Sequence, residues 1–323
     1  MLKVGYPAIF SDELLSQMPA GIELIPLANG LDHDVDIDVW IPDPYSTRAQ
    51  RIWPHLRGVR LVLALLAGTE WMPAVVGPSV TICNARGAHN VSTAEWTLSA
   101  IFTMLKYVPL YAEIQRAGDW RRRSDANKLY EQMHPGQRPL YPPVMQEELT
   151  GKSVLLVGHG AIGKEIERVL EPFRIRLTRV ARTARTQPLV HPVSRLNELL
   201  PQADIVVLIL PSTAESQGLM GAEQLNLMQP GSLLVNAARG PIVQTDALVG
   251  VLNSGRIRAA IDVTDPEPLP DGHPLWRCPN LFITPHVGGS TPQFTPRALK
   301  IAAEELQRYI NNEPLKNVVQ AAV

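Results

Sequence analysis

Three short stretches in the second half of the chain hold residues suited to acid–base work: "NAARGPIV", "DVTDPEPLP" and "TPHVGGST". Their candidates are Arg239, Glu267 and His286. An arginine can hold a carboxylate and polarise the carbonyl beside it. A histidine can give a proton to that carbonyl oxygen as hydride reaches the carbon. A carboxylate next to the histidine orients the ring and favours its protonated form. Taken singly, a surface arginine, a loop glutamate and a hydrogen-bonded histidine are the plainer readings. Each of the three, however, falls just after a strand-like segment, and together they supply one of each group.

A fourth stretch says what would bring the hydride. "VLLVGHGAIG" is an apolar run followed by Gly158, His159, Gly160, Ala161, Ile162 and Gly163. Gly158 permits a tight turn, Gly160 leaves room for a pyrophosphate, and Gly163 lets a helix pack closely on the strand. The N–H groups at that helix start, around Ala161 and Ile162, then face the phosphates. The spacing alone is weak; the strand before it and the helix after it give it meaning. About twenty residues further on, an NAD site places a carboxylate on the ribose hydroxyls. Here the stretch is "VARTART", and no Asp or Glu occurs between Glu171 and Glu198. Arg182 and Thr183 stand at the strand end, with Arg185 as a third candidate. A guanidinium and a hydroxyl suit a 2′-phosphate, so the reading is NADP(H) preferred, with NAD(H) as the alternative. Arg174, Arg176, Arg179 and Arg195 read as surface charge, since alternation along a strand forbids all of them from reaching one ligand.

The elements that must position these residues come in two series. In the first ninety residues the predicted strands are 2–6, 22–26, 35–41, 60–66 and 81–83, with helices at 12–18 and 47–56. "STAE" from Ser92 to Glu95 reads as a capping box opening a long helix toward Asp119, distorted at Pro109. Residues 121–149, rich in proline and mixed polarity, read as a long irregular arm. The second series has strands at 153–157, 174–181, 204–210, 232–236, 259–263 and 281–284. Its helices are 163–170, 222–228 and 246–253, and a last helix runs over 296–311. Short apolar strands alternating with helices imply parallel sheets covered on both faces. The fold class is therefore α/β, with two Rossmann-like doubly wound domains, one flavodoxin-like and one dinucleotide-binding, and a ligand in an interdomain cleft. The domains are assigned as 1–93 plus 293–323 for substrate, and 94–292 for the dinucleotide, the arm included.

Composition sets the bounds. The chain has 323 residues, 45% hydrophobic and 19% charged, with formal net charge −1. These are globular values, and the charge gives no reason to expect nucleic acid or a membrane surface as partner. Cys83 and Cys278 have no pairing pattern and read as buried small hydrophobes in a reducing compartment. With no leader-like segment and no membrane-length apolar run, the expected location is cytoplasmic. The histidines lack metal-ligand spacing, so no metal is expected.

On the motifs "GHGAIG", "NAARG", "DVTDPEPLP" with "HPLW", and "TPHVGG", in that order, the chain resembles the D-isomer-specific 2-hydroxyacid dehydrogenase family over nearly its whole length. The resemblance implies reduction of a small 2-oxoacid, with Arg239, Glu267 and His286 as the catalytic residues. It places the nicotinamide against Asp262, Pro211, Ala237, His286 and Gly288. It makes "LLAGTE" the substrate-carboxylate loop, with Ala67, Gly68 and Thr69 beside Arg239. It also implies a homodimer formed through the cofactor domain, which the arm at 121–149 would extend. Glu70 and Trp71 depart from the usual loop and bear on pocket size. The loss of the acidic NAD discriminator is similar to members that are NADPH-dependent glyoxylate/hydroxypyruvate reductases. With no further domain after the last helix, a feedback-regulated phosphoglycerate dehydrogenase fits less well. Formate dehydrogenases resemble the chain but carry Gln where Glu267 stands. An NAD(P)-sensing corepressor-like binding protein is the alternative from another class; turnover of a 2-oxoacid separates it.

Overall fold

The computed structural model describes residues 1–44, 46–137 and 146–322. It divides into two compact units, Met1–His89 with Ser290–Val323, and Asn90–Gly289. Both are α/β, with parallel sheets of the Rossmann kind.

The unit Asn90–Gly289 carries an eight-stranded sheet. In spatial order its strands are Arg185–Thr186, Leu189–Pro192, Arg176–Ala181, Ser153–Val157, Ile205–Leu208, Leu233–Asn236, Arg258–Ile261 and Leu281–Ile283. All pair in parallel except the hairpin Arg185–Thr186 with Leu189–Pro192. The chain starts in the middle at Ser153–Val157, steps outward on one side, then returns to fill the other. That order puts a topological switch point at the carboxyl end of Ser153–Val157, where such sheets bind ligands. Side chains alternate between two cores. Leu155, Val157, Val206 and Leu208 enter one cluster, and Val154, Leu156, Ile205 and Val207 the other. Burial on both faces is why these strands read as unbroken apolar runs.

The main sheet of the other unit has five parallel strands in the order Ile22–Leu27, Leu2–Pro7, Val39–Trp40, Leu61–Leu63, Thr81–Cys83, and Val318–Gln320 closes that edge antiparallel. It is the flavodoxin-like arrangement. The helix Phe294–Ile310 completes its core: Ala298, Leu299 and Leu306 are fully buried with Val4, Val39 and Leu61.

The structure corrects three readings of the sequence. Ser92 is no N-cap: the helix begins at Asn90, and Ser92 is a buried residue inside it. Its hydroxyl turns to the carbonyl of Gly289, 3.4 Å away. The predicted distortion of that helix is a full break. It ends at Leu105, Tyr107 takes a left-handed φ of 53°, and a second helix runs Val108–Ala117 with Pro109 in its first turn. Proline's missing N–H costs nothing there. Finally, 121–149 is not wholly irregular. A 3₁₀ turn at Trp120–Ser124 leads into a helix, Asp125–Met133. The prolines begin only at Pro135, so nothing forbids a helix before it. Ala126 and Met133, two turns apart on one face, are fully buried. Residues 138–145 of that arm lie outside the described residues. No helix among the described residues is long and apolar enough to cross a membrane.

Candidate active site

Every candidate in the Asn90–Gly289 unit except Arg185 follows the carboxyl end of a strand. The glycine-rich turn comes first. Gly158 has φ +111°, and a Cβ there would collide with the carbonyl of Ile209. A Cβ on Gly163 would strike the carbonyl of Gly158, so the helix Ala161–Leu170 can sit down on the turn only because that residue is glycine. Around Gly160 the space is open: a Cβ would meet nothing within 4 Å. Gly160 is also the N-cap and offers no side chain to the helix start, so the N–H groups near Ala161 and Ile162 keep their capacity for an outside acceptor. A close-approach turn, an open face and an uncapped helix start are what a dinucleotide pyrophosphate requires.

The stretch that replaces the acidic residue lies one strand over. Arg182 and Thr183 follow Ala181 and are exposed. The positive charge of Arg182 contributes to holding the Glu215 carboxyl below its ordinary range, after the hydrogen bond from Thr213. Arg185 is half-buried and belongs to the antiparallel hairpin, an element too short and polar to read from sequence. Its guanidinium turns back to the glycine-rich turn and donates to the carbonyl of His159 at 3.1 Å. Pro211 and Ala237 sit at the ends of the next two strands. Their backbones are held by Ser216 Oγ donating to the Pro211 carbonyl at 2.8 Å and by Ala237 N–H donating to Leu208 at 3.2 Å.

The three catalytic candidates stand on loops that are tied together. Asn236, 2% exposed, accepts from the Ala238 N–H at 3.0 Å and donates to the Arg239 carbonyl at 3.1 Å, which shapes the turn that presents Arg239. Gly240 then passes so close to the Thr264 carbonyl that a Cβ would not fit. Thr245 Oγ1 donates to the Asp265 carbonyl at 2.7 Å. The arginine loop and the glutamate loop are thus in direct contact. Glu267 Oε1 lies 2.6 Å from His286 Nδ1, with both side chains partly open to solvent.

His286 itself has a left-handed φ of 53°. Asp262 holds it in that conformation. The Asp262 carbonyl accepts from His286 N–H at 2.7 Å. Its carboxylate accepts from Thr284 Oγ1 at 2.5 Å, Val287 N–H at 2.9 Å and Gly288 N–H at 2.7 Å. Trp96 Nε1 donates to Thr284 Oγ1 at 3.0 Å. The small size of Gly288 is needed here, because a Cβ would press on Asp262 and Trp96. Asp262 therefore shapes the histidine loop, whatever else it meets. Asn236, Thr284 and Trp96 were not singled out from sequence. The available signal was a polar residue at the end of a buried strand, and Asn236 carried it.

In the other unit, Ala67, Gly68 and Thr69 follow the strand Leu61–Leu63. Asn84 donates to the Ala67 carbonyl at 2.8 Å, and Thr69 is buried with its carbonyl accepting from Met72 N–H at 3.0 Å. Gly68, Thr69, Trp71 and the buried Asp43 line one small pocket.

A cavity of about 340 Å³ opens at the opposite, amino-terminal edge of the Asn90–Gly289 sheet. Glu147, Arg258 and Lys152 of its lining pair with one another. Arg258 Nη1 lies 2.7 Å and Lys152 Nζ 2.8 Å from the two oxygens of Glu147. The candidate residues for chemistry lie at the other end of the strands.

The chain is similar to known proteins over most of its length. Residues 98–288 match the model of the D-isomer specific 2-hydroxyacid dehydrogenase, NAD binding domain. Glyoxylate reductase of Aeropyrum pernix is 31% identical over 248 residues, 76% of this chain and 70% of that one. The chloroplastic/mitochondrial formate dehydrogenase of Arabidopsis thaliana is 30% identical over 301 residues, 89% of this chain and 73% of that one. Among solved structures, a D-isomer specific 2-hydroxyacid dehydrogenase from Xanthobacter autotrophicus Py2, in complex with NADPH and MES, superposes with a TM-score of 0.76. It is 25% identical and covers 99% of this chain and 98% of its own.

Proposed function

The chain belongs to the D-isomer specific 2-hydroxyacid dehydrogenase family, and from that premise we propose that it reduces small 2-oxoacids to D-2-hydroxyacids with NADP(H). Glyoxylate and hydroxypyruvate are the first substrates on that reading. The observation that carries it is the contact of Glu267 with His286 at 2.6 Å, beside the loop that presents Arg239. An ionised carboxylate only accepts, so the ring's Nδ1 carries the hydrogen toward Glu267, and Nε2 is the atom left to give and take a proton. Arg239 holds the substrate carboxylate and polarises its keto group. A reduced nicotinamide, when bound, supplies hydride to the keto carbon. His286 delivers the proton to the keto oxygen, and the resulting imidazole is reprotonated from solvent. Asp262, Pro211, Ala237 and Gly288 line the nicotinamide side, and Gly158, Gly160, Ala161, Ile162 and Gly163 hold the pyrophosphate.

Two features favour this reading over its rivals. Formate oxidation releases carbon dioxide and needs no proton donor, so the Glu267–His286 pair would have no task there. The absence of any carboxylate from 172 to 197, with Arg182, Thr183 and Arg185 in place, favours a 2′-phosphate. The deciding experiment is steady-state kinetics on a panel of 2-oxoacids, each with NADH and NADPH. The expected result is turnover of glyoxylate and hydroxypyruvate with NADPH preferred. A clear preference for NADH would remove the cofactor assignment, and no turnover of any 2-oxoacid would favour a nucleotide-sensing binding protein. A homodimer formed through the cofactor unit completes the proposal, and light scattering of the purified protein tests it.

A further inference from the structure

The second residue of the glycine-rich turn has no part in the roles above, yet its side chain is buried and held at both ring nitrogens. His159 lies between Gly158 and Gly160, and its ring is 2% exposed. Both ring nitrogens are engaged. Nε2 lies 2.6 Å from Glu167 Oε2, and Nδ1 lies 2.7 Å from the Nη2 of Arg185. A guanidinium can only donate and an ionised carboxylate can only accept. The ring is therefore neutral, with its hydrogen on Nε2 and the lone pair of Nδ1 turned to Arg185. Glu167 is in turn gripped by both Nε and Nη2 of Arg179. Hydrogen bonding from Arg179, working against partial burial and helped by His159, brings the Glu167 carboxyl down to about 2, so it stays an acceptor. The chain of contacts Arg179–Glu167–His159–Arg185 ties together the second strand, the helix after the turn, the turn itself and the edge hairpin.

We propose that His159 is a positioning residue for cofactor phosphate recognition, fixing the Arg185 guanidinium at the glycine-rich turn so that Arg185 is the pre-organised ligand of the 2′-phosphate. The inference rests on the NADP(H) reading above and deepens it. Arg182 is exposed, and no group of the turn holds its guanidinium. Arg185 has two acceptors on one residue of the turn, the ring Nδ1 and the carbonyl, which hold its long side chain before any ligand arrives. An arginine already ordered loses less freedom on binding, so its charge counts for more. The pieces also leave one net positive charge, from two arginines, one glutamate and a neutral imidazole, next to where a ribose phosphate must lie in this fold.

The test measures dissociation constants of NADPH and of NADH for the full-length wild type, His159→Phe, Arg185→Ala and the double variant, by fluorescence titration without substrate. His159→Phe keeps the ring's bulk and removes both nitrogens. The expected result is that each single variant weakens NADPH by about tenfold or more, the scale of one charge-assisted hydrogen bond. NADH should stay within about twofold, and the double variant should be no worse than Arg185→Ala. His159→Gln, whose amide can accept from Arg185 and donate to Glu167, should recover most of the NADPH affinity. Equal losses of NADPH and NADH in His159→Phe, or additive losses in the double variant, would reduce His159 to a structural part of the turn. If Arg185→Ala loses NADPH selectivity while His159→Phe keeps it, the cofactor reading stands and the role of His159 falls. If the wild type binds NADH as well as NADPH, both fall together. Should His159→Phe not fold, the comparison of His159→Gln with Arg185→Ala decides the point: a glutamine variant as poor as Arg185→Ala would overturn the proposal.

Discussion

At the scale of single residues, the decisive feature is how few atoms remain uncommitted. Nδ1 of His286 is spent on Glu267, so replacing the histidine removes the proposed proton donor and no hydrogen bond to a nucleotide phosphate. His286→Ala should lower kcat by about 10²–10⁴-fold while the dissociation constant of NADPH changes little. Equal losses in both would contradict its role. Asp262 is more exacting. Its two oxygens accept three hydrogen bonds from the loop that carries the histidine. Asp262→Asn puts an NH₂ donor where at least one N–H must be accepted, leaving a buried group unpaired at a cost of about 1–3 kcal/mol. The expected outcome is a lowered melting temperature together with a fall in kcat, because the left-handed turn at His286 loses its anchor. Retained kcat with unchanged stability would show that the loop holds itself. Both residue types were legible in sequence. That Asp262 serves the loop was not, because its partners lie more than twenty positions away.

At the scale of elements, the amino-terminal edge of the sheet holds the cofactor unit together while the carboxyl edge carries the catalytic candidates. Glu147 is 6% exposed and meets Arg258 at 2.7 Å, Lys152 at 2.8 Å and the His134 ring at 3.4 Å. Arg258 also donates to the Gly231 carbonyl through Nε at 3.1 Å and Nη2 at 2.9 Å, and Gly231 packs against the carbonyl of Met133 at the end of the arm helix. Burial works against ionisation of Glu147, but the His134 ring and the charges of Arg258 and Lys152 outweigh it and hold the carboxyl well below its ordinary value. Glu147→Gln leaves a buried guanidinium without its counter-charge and should destabilise the protein by about 3–5 kcal/mol at pH 7. Because the folded carboxyl is depressed, its contribution is complete above the ordinary value of 4.5 and fades as pH falls below it toward the folded value. Denaturant melts of both proteins across that range should therefore converge in acid. A gap that stays constant with pH would mean the loss is one of packing. This network explains why the arm's helix was missed: its Asp125–Met133 segment is short and its stability comes from docking, which composition does not display.

At the scale of the whole molecule, one unit is continuous in sequence and the other is not. Residues 90–289 contain a complete sheet with both faces covered. The remainder needs the last thirty or so residues to return: Ala298, Leu299 and Leu306 fill its core, and Gln320 donates to the Gly77 and Val80 carbonyls at 2.8 and 2.9 Å. The segment 90–289 expressed alone should unfold cooperatively and bind NADPH without turning over a 2-oxoacid, whereas removal of 290–323 should leave 1–89 without a stable core. Calorimetry and NADPH titration of the two fragments check this; a cooperative transition from 1–89 alone would overturn it. The sequence by itself determined the α/β class, the glycine-rich turn and which residues are the candidates for acid, carboxylate and arginine. Those properties are local: a period of two or a fixed glycine spacing is written in neighbouring residues. Only the tertiary structure decided which groups meet. It joined Glu267 to His286 across 19 positions and Arg185 to His159 across 26, because strand order and register place chain segments side by side that sequence proximity never would.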